Sequence, residues 1–234
     1  MSWLGLEGKR VVVAGGAGGF GSALLGAFTQ QGARVAAIDL APGEHVVADL
    51  RDPGAAREAM AEAARRLGGG IDVFVHSVGI NKRLPIGEYS DADWDDIVAV
   101  NLTSAFHTGR AALAHGAERI VFFSSVAGRS GHRNHGPYAA TKGAINQLMR
   151  VMAHEAAADG VTVNAVAPGY MDTELTRQYL ADHPGRREEL ISLIPAGRFA
   201  RIEEVVGPVL FLCSEQAGFI TGTVLYIDGG RSVL

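Results

Sequence analysis

The sequence predicts an α/β protein: a doubly wound parallel sheet of about seven strands with helices on both faces. Three observations predict it. Short apolar runs alternate with helical patterns along the whole chain. The runs show little polar alternation, as strands buried on both faces do. A glycine-rich turn joins the first run to the first helix. No linker or low-complexity tract interrupts the 234 residues, so residues 1–234 read as a single domain.

Arg10–Ala14 is the first strand, and a helix follows the glycine turn from Gly19 to Gln31. A membrane span is the alternative, because Val11 to Phe28 holds eighteen uncharged residues. Six of these are glycine, each costing up to about 1 kcal/mol of helix stability relative to alanine, so strand–turn–helix is preferred. No targeting segment remains. Further strands are expected at Arg34–Ile38, His45–Ala48, Ile71–His76, Arg119–Phe123, Val161–Val166 and Val224–Ile227. Helical patterns cover Pro53–Leu67, Asp91–Ala114, Tyr138–Ala158 and Ile202–Leu212, and Ser90-x-x-Asp93 resembles a capping box opening the second of these. Tyr170–Ala200 is the least regular region, broken by Pro184, Gly185 and Pro195. It is a candidate substrate lid, at about residues 170–200.

Composition excludes several classes. With 47% hydrophobic and 20% charged residues the chain is not disordered. Its 31 glycines have no three-residue period, which excludes collagen. A net charge of −4 without a basic stripe argues against nucleic acid as partner. The single cysteine, Cys213, excludes a disulfide framework and fits a cytoplasmic location.

Gly15-Gly16-Ala17-Gly18-Gly19-Phe20-Gly21 lies between strand and helix, where a pyrophosphate must approach backbone amides that a Cβ would obstruct. Asp39 ends the next strand, 24 residues after Gly15, where a carboxylate can accept hydrogen bonds from ribose hydroxyls. It would repel a 2′-phosphate, and neither Gly16, Ala17 nor Leu40 offers a compensating cation, so NAD is expected rather than NADP. Tyr138 and Lys142 lie one turn apart on one helix face. A tyrosine titrates near ~10, and a neighbouring ammonium lowers that value by favouring phenolate. Ser125 ends an earlier strand and can polarise a carbonyl at the same sheet edge.

These residues resemble the short-chain dehydrogenase/reductase family, over essentially the whole chain. The resemblance implies a Rossmann-like fold and a catalytic set of Asn101, Ser125, Tyr138 and Lys142. Asn101 lies in Asn-Leu-Thr-Ser-Ala-Phe and Ser125 in Ser-Ser-Val-Ala-Gly. The cofactor set it implies is Gly15, Gly18, Gly19, Phe20, Gly21, Asp39, Asp49, Leu50, Ser77, Gly79, Val100, Tyr138, Lys142, Pro168, Gly169, Met171 and Thr173. Ile227-Asp228-Gly229-Gly230 matches the usual C-terminal strand end. Two positions depart from the pattern. Ala14 replaces the usual threonine, and His76-Ser77-Val78-Gly79 replaces Asn-Asn-Ala-Gly, so a structural hydrogen bond at Ser77 is lost or re-routed.

By this resemblance Tyr138 exchanges a proton with the substrate oxygen, Ser125 holds that oxygen, and Lys142 lowers the tyrosine pKa and binds the nicotinamide ribose. Asn101 supports a relaying water. The segments Gly79–Pro85, Asp93–Asp95 and Gly169–Thr176 are similar to those of family members acting on gluconate and related sugar acids, so a sugar acid, polyol or similar small hydroxy compound is the expected substrate. Lys82 and Arg83 could meet a carboxylate or form a solvated loop. Arg129, His132, Arg133 and His135 border the pocket. His132-x-x-His135 lacks a third ligand, and no metal is expected. Trp94 and Phe106 read as packing. A 3-oxoacyl thioester reductase and a non-catalytic NAD-binding protein are the competing readings. Family members are commonly tetramers or dimers, so a homo-oligomer is expected.

Overall fold

In the computed structural model, the described residues are 3–172, 174–181 and 183–233. Seven parallel strands form one sheet in the order β3-β2-β1-β4-β5-β6-β7. They are β1 (Arg10–Ala14), β2 (Arg34–Asp39), β3 (Val46–Val47), β4 (Val73–His76), β5 (Arg119–Phe123), β6 (Thr162–Pro168) and β7 (Val224–Ile227). The helices are α1 (Gly19–Gln30), α2 (Pro53–Arg66), α3 (Asp91–Val98), α4 (Ser104–Ala114), α5 (Gly136–Ala156), α6 (Glu174–Ala181), α7 (Arg186–Ser192) and α8 (Glu203–Leu212).

Successive strand residues point to opposite faces, and β1 divides accordingly. Val11 and Val13 pack with Leu24 and Phe28 of α1 and with Val205 and Val209 of α8. Val12 and Ala14 face Met60 of α2, Ala105 and Ala112 of α4, and Ile145 and Met149 of α5. Helix starts follow local chemistry. Asp52 accepts from the Ala55 amide at 2.7 Å, with Pro53 in the first turn of α2. The Ser90–Asp93 capping box at α3 is present in both directions.

The helix expected over Asp91–Ala114 is not continuous. Ala99–Thr103 forms a π turn between α3 and α4, and the Ser104 hydroxyl donates to the Val100 carbonyl beside it. The inserted residue re-aims the chain at Asn101, a use such turns often have at functional sites. The sheet order reverses at β1, whose neighbours are β2 and β4. A crevice therefore opens beyond the carboxyl ends of these strands. Over the opposite half of that edge, Leu190, Ile194 and Phe199 form a small separate core with Tyr170. This segment is tied down by the Met171–Ala200 bridge and by the Ala196 amide donating to the Gly229 carbonyl at 3.0 Å.

Candidate active site

The crevice holds a cleft of about 560 Å³, lined by Gly15, Ala17, Gly18, Asp39, Asp49, Leu50, Ser77, Gly79 and Val100. Gly15 has φ +82°, a left-handed conformation that favours glycine, and a Cβ there would lie 2.9 Å from Ser77 Oγ. A Cβ at Gly21 would run into the Gly15 carbonyl. Gly18 caps α1 without a side-chain hydrogen bond, so the first amides of this helix remain available to an anion. The Phe20 ring packs on Phe123 at 5.1 Å between centroids. Ser77 re-routes the bond its shorter side chain puts in question: its hydroxyl donates to the Ala14 carbonyl at 2.8 Å.

Asp39 is fixed by two amides, Ala17 N on Oδ2 at 2.9 Å and Ala41 N on Oδ1 at 3.0 Å. Its carboxylate therefore faces the cleft at the end of β2. Arg51 also lines this cleft and bridges Asp49 at 2.7 Å and Asp96 at 2.9 Å. Its guanidinium holds the Asp49 carboxyl below the usual carboxylate range. Leu50 is buried, and its carbonyl faces His107 Nδ1 at 3.3 Å.

The four catalytic candidates converge beyond β4 and β5. Asn101 is buried in the π turn. Its Oδ1 accepts from the Ile80 amide at 2.7 Å, while Nδ2 donates to the Ile80 carbonyl at 3.0 Å and to Thr141 Oγ1 at 3.1 Å. A Cβ at Gly79 would touch both Lys142 Nζ and Asn101 Oδ1, at 3.3 and 3.4 Å, so glycine lets these two groups approach the β4 loop. Lys142 Nζ donates to the Phe123 carbonyl at 2.7 Å and lies 5.6 Å from the centre of the Tyr138 ring. Burial pushes Lys142 down to about 8. Ser125, extended after β5, accepts from the Ala127 amide at 3.2 Å, and its side chain acts on the Tyr138 phenol, favouring the ionised form.

The net shift of the Tyr138 phenol is upward, against the lowering expected from Lys142. Burial dominates and pushes the phenol above its ordinary value, opposed by the Ser125 hydrogen bond and by the charge of Arg83. Lys142 spends its directed bond on the Phe123 carbonyl and not on the phenol.

Pro168 ends β6, Gly169 donates to the Ile227 carbonyl at 3.0 Å, and Met171 is buried beside them. Thr173 lies outside the described residues.

The His76 imidazole is fully buried, with Thr108 Oγ1 at 3.0 Å and Ser104 Oγ at 3.3 Å. Burial, aided by Lys142, lowers it to about 3. The unfolded chain therefore binds a proton that the folded one refuses. Stability is complete above pH ~6.5 and falls as pH drops towards about 3, by about 1.4 kcal/mol per unit within that window. His76→Leu should flatten this slope in urea unfolding at pH 7 and 4.5. Both hydroxyls keep carbonyl acceptors, at Ser104 and Val100, so the variant leaves no stranded donor.

The family model described as enoyl-(acyl carrier protein) reductase matches residues 15–232. Gluconate 5-dehydrogenase of Gluconobacter oxydans (strain 621H) is 34% identical, over 97% of this chain and 96% of its own. The chain belongs to the short-chain dehydrogenase/reductase family. The 3-oxoacyl-(acyl-carrier-protein) reductase of Escherichia coli (strain K12) is 32% identical over 97% of this chain and 98% of its own. The gluconate 5-dehydrogenase from Burkholderia cenocepacia J2315, solved in complex with NADP and tartrate, superposes with a TM-score of 0.93. It is 30% identical, covering 99% of this chain and 98% of that one. As a short-chain dehydrogenase/reductase, this protein is an oxidoreductase of alcohol groups with a nicotinamide cofactor.

In this short-chain dehydrogenase/reductase two further outcomes, at Trp94 with Phe106 and at Arg51, differ from sequence expectation. Trp94 and Phe106 are 47% and 44% exposed, not core, because they lie on the outward faces of α3 and α4. Lys82, half exposed, pairs with Asp93 at 2.6 Å, in keeping with a solvated loop, and Arg83 lines a second cavity. Arg51 escapes sequence reading altogether. Its Asp49-x-Arg51 spacing is a possible signal, but Asp96 joins it only through the fold. Among the described residues no helix is long and apolar enough to cross a membrane.

Proposed function

We propose that this protein is an NAD-dependent oxidoreductase interconverting a secondary alcohol and a ketone on a small hydroxy compound, a sugar acid or polyol. The reading rests on Asn101, Ser125, Tyr138 and Lys142 meeting beside a glycine cradle that side chains would fill. The nicotinamide, when bound, supplies the hydride acceptor or donor. Tyr138 Oη holds the proton exchanged with the substrate oxygen, and Ser125 Oγ, which acts on that phenol, orients the same oxygen. Lys142 contributes positive charge beneath the ring. Asn101 ties the β4 loop to α5 through Ile80 and Thr141, and its turn is the place for a relaying water. Gly15, Gly18 and Gly19 would hold the pyrophosphate, Asp39 the adenosine ribose, and Pro168, Gly169 and Met171, with Thr173, the carboxamide. Residues 1–234 act as one domain with a lid at about 170–200. The exposed Trp94, Phe106 and Val151, on α3, α4 and α5, support a dimer or tetramer through those helices. The lone buried Cys213 fits a cytoplasmic enzyme.

NAD is preferred because Asp39 presents a fixed carboxylate where a 2′-phosphate would lie, and Arg51 is already engaged by two acids. Asp39→Ala should lower the NAD:NADP ratio of kcat/KM by at least tenfold, since the repulsion disappears with the carboxylate. Turnover of the unaltered enzyme with NADP alone would overturn the NAD reading, and the NADP complex of the Burkholderia cenocepacia relative favours that second possibility. The Escherichia coli relative favours another, reduction of a 3-oxoacyl thioester. Following nicotinamide absorbance with acetoacetyl thioester, sugar acids and polyols in parallel separates these readings.

A further inference from the structure

A second cavity, of about 150 Å³, shares no lining residue with the glycine-turn cleft and borders His135, whose ring meets that of Tyr138. Its cationic lining comes from separate segments: Arg83 after β4, Arg133 and His135 before α5, and His183 and Arg186 from the lid. No carboxylate is among the described residues that line it. We propose that this cavity is an anion subsite, holding a carboxylate or phosphate group of the substrate beside Tyr138 and selecting hydroxy acids over neutral polyols. The proposal rests on the assignment of Tyr138 as the proton-exchanging group.

Geometry joins the cavity to the chemistry. The His135 ring meets the Tyr138 ring edge-on at 6.1 Å, and His135 Nδ1 bonds the Arg133 carbonyl at 2.7 Å, fixing the ring. Asn134 between them has φ +65°, and its carbonyl accepts from the Tyr89 hydroxyl at 3.2 Å. A strained turn thus presents Arg133 and His135 together. Arg83 is close enough for its charge to act on both His135 and Tyr138. On the opposite wall Leu190 anchors the lid in its own core with Ile194 and Phe199. Arg186 also pairs with Glu189 on α7, so an incoming anion competes with that exposed carboxylate. Planar guanidiniums suit carboxylate and phosphate alike. An anion here bridges the loops carrying Arg83 and Arg133 to the α7 segment carrying Arg186, a bridge that a neutral polyol does not make.

The test compares D-gluconate, 6-phosphogluconate and D-glucitol as substrates of the full-length enzyme and of Arg133→Gln and Arg186→Gln. Calorimetric binding of gluconate and inorganic phosphate to the NAD complex is measured alongside. Wild type should prefer an acid over glucitol by at least tenfold in kcat/KM, and each variant should reduce that ratio about tenfold. Arg186→Lys, which keeps the charge, should restore part of it, and thermal melts check that each variant folds. Preference for 6-phosphogluconate with a larger penalty in the variants identifies the ligand as phosphate; preference for gluconate identifies carboxylate. Glucitol turnover matching gluconate, with ratios unchanged in folded variants, overturns the subsite and leaves the redox assignment standing. Anion binding that the variants weaken, without turnover of any of these alcohols, supports the subsite and overturns the sugar-acid or polyol reading of the substrate. No binding of either acid or of phosphate overturns the proposal.

Discussion

Replacing Tyr138 by phenylalanine is expected to cut turnover by about three orders of magnitude while leaving cofactor affinity within about twofold. General acid–base catalysis contributes roughly 10²–10⁴-fold, and the substitution removes the hydroxyl on which Ser125 acts. The ring itself stays: its edge contact with His135 at 6.1 Å and its place 5.6 Å from Lys142 Nζ do not need the oxygen. The cleft proposed to hold the adenosine, lined by Gly15, Asp39 and Val100, does not include Tyr138, which is why binding should survive. Turnover is read from nicotinamide absorbance, and affinity from cofactor fluorescence titration. Oxidation needs the phenol ionised, and burial holds it above its ordinary value. The wild-type oxidative rate should therefore climb with pH through the alkaline range, while the residual rate of the variant stays flat. A variant that keeps its turnover would remove Tyr138 from the mechanism.

What the sequence disclosed and what it hid divide along physical lines. Strands such as Val11–Val13 and Ile120–Phe123 are continuous apolar runs because both sheet faces are covered, and that burial is written directly into residue type. Tyr138 and Lys142 were legible because their spacing is one helical turn. The sense of the Tyr138 shift was not, because desolvation depends on what the fold packs around the phenol and outweighs the neighbouring charges. The π turn at Ala99–Thr103 leaves no mark on a helical period, since one inserted residue is absorbed between two ordinary helices. Trp94 and Phe106 carry the same apolar spacing as core residues, and only the fold shows that their faces turn outward. The basic cavity was half visible: Arg133 and His135 were expected near the pocket, but Arg186 reaches it from α7.

Gly21→Ala should reverse the usual effect of alanine in a helix. At an ordinary exposed helical glycine, alanine stabilises by roughly 0.5–1 kcal/mol, because it restricts the unfolded chain and is the better helix former. Gly26, in the same α1 and with nothing within 4 Å of a built Cβ, is such a site. Gly26→Ala should raise the melting temperature and leave cofactor affinity unchanged. At Gly21 the added carbon meets backbone on two sides, the Gly15 carbonyl and Gly16 Cα at 2.7 Å. Neither neighbour is a flexible side chain that can swing away, so the turn itself must move. Overpacking of this kind costs about 1–3 kcal/mol, enough to overcome the helix gain. The displaced carbonyl belongs to Gly15, whose amide is held to Ile38 at 2.8 Å at the end of β2, immediately before Asp39. Moving it disturbs both the amides at the start of α1 and the carboxylate beside the ribose position. Gly21→Ala is therefore expected to melt earlier and to bind the nicotinamide cofactor at least tenfold more weakly. Differential scanning calorimetry with and without cofactor tests both parts, because the cofactor-induced rise in melting temperature should persist in Gly26→Ala and shrink in Gly21→Ala. Equal rises in the two variants would show that the glycine cradle does not hold the dinucleotide.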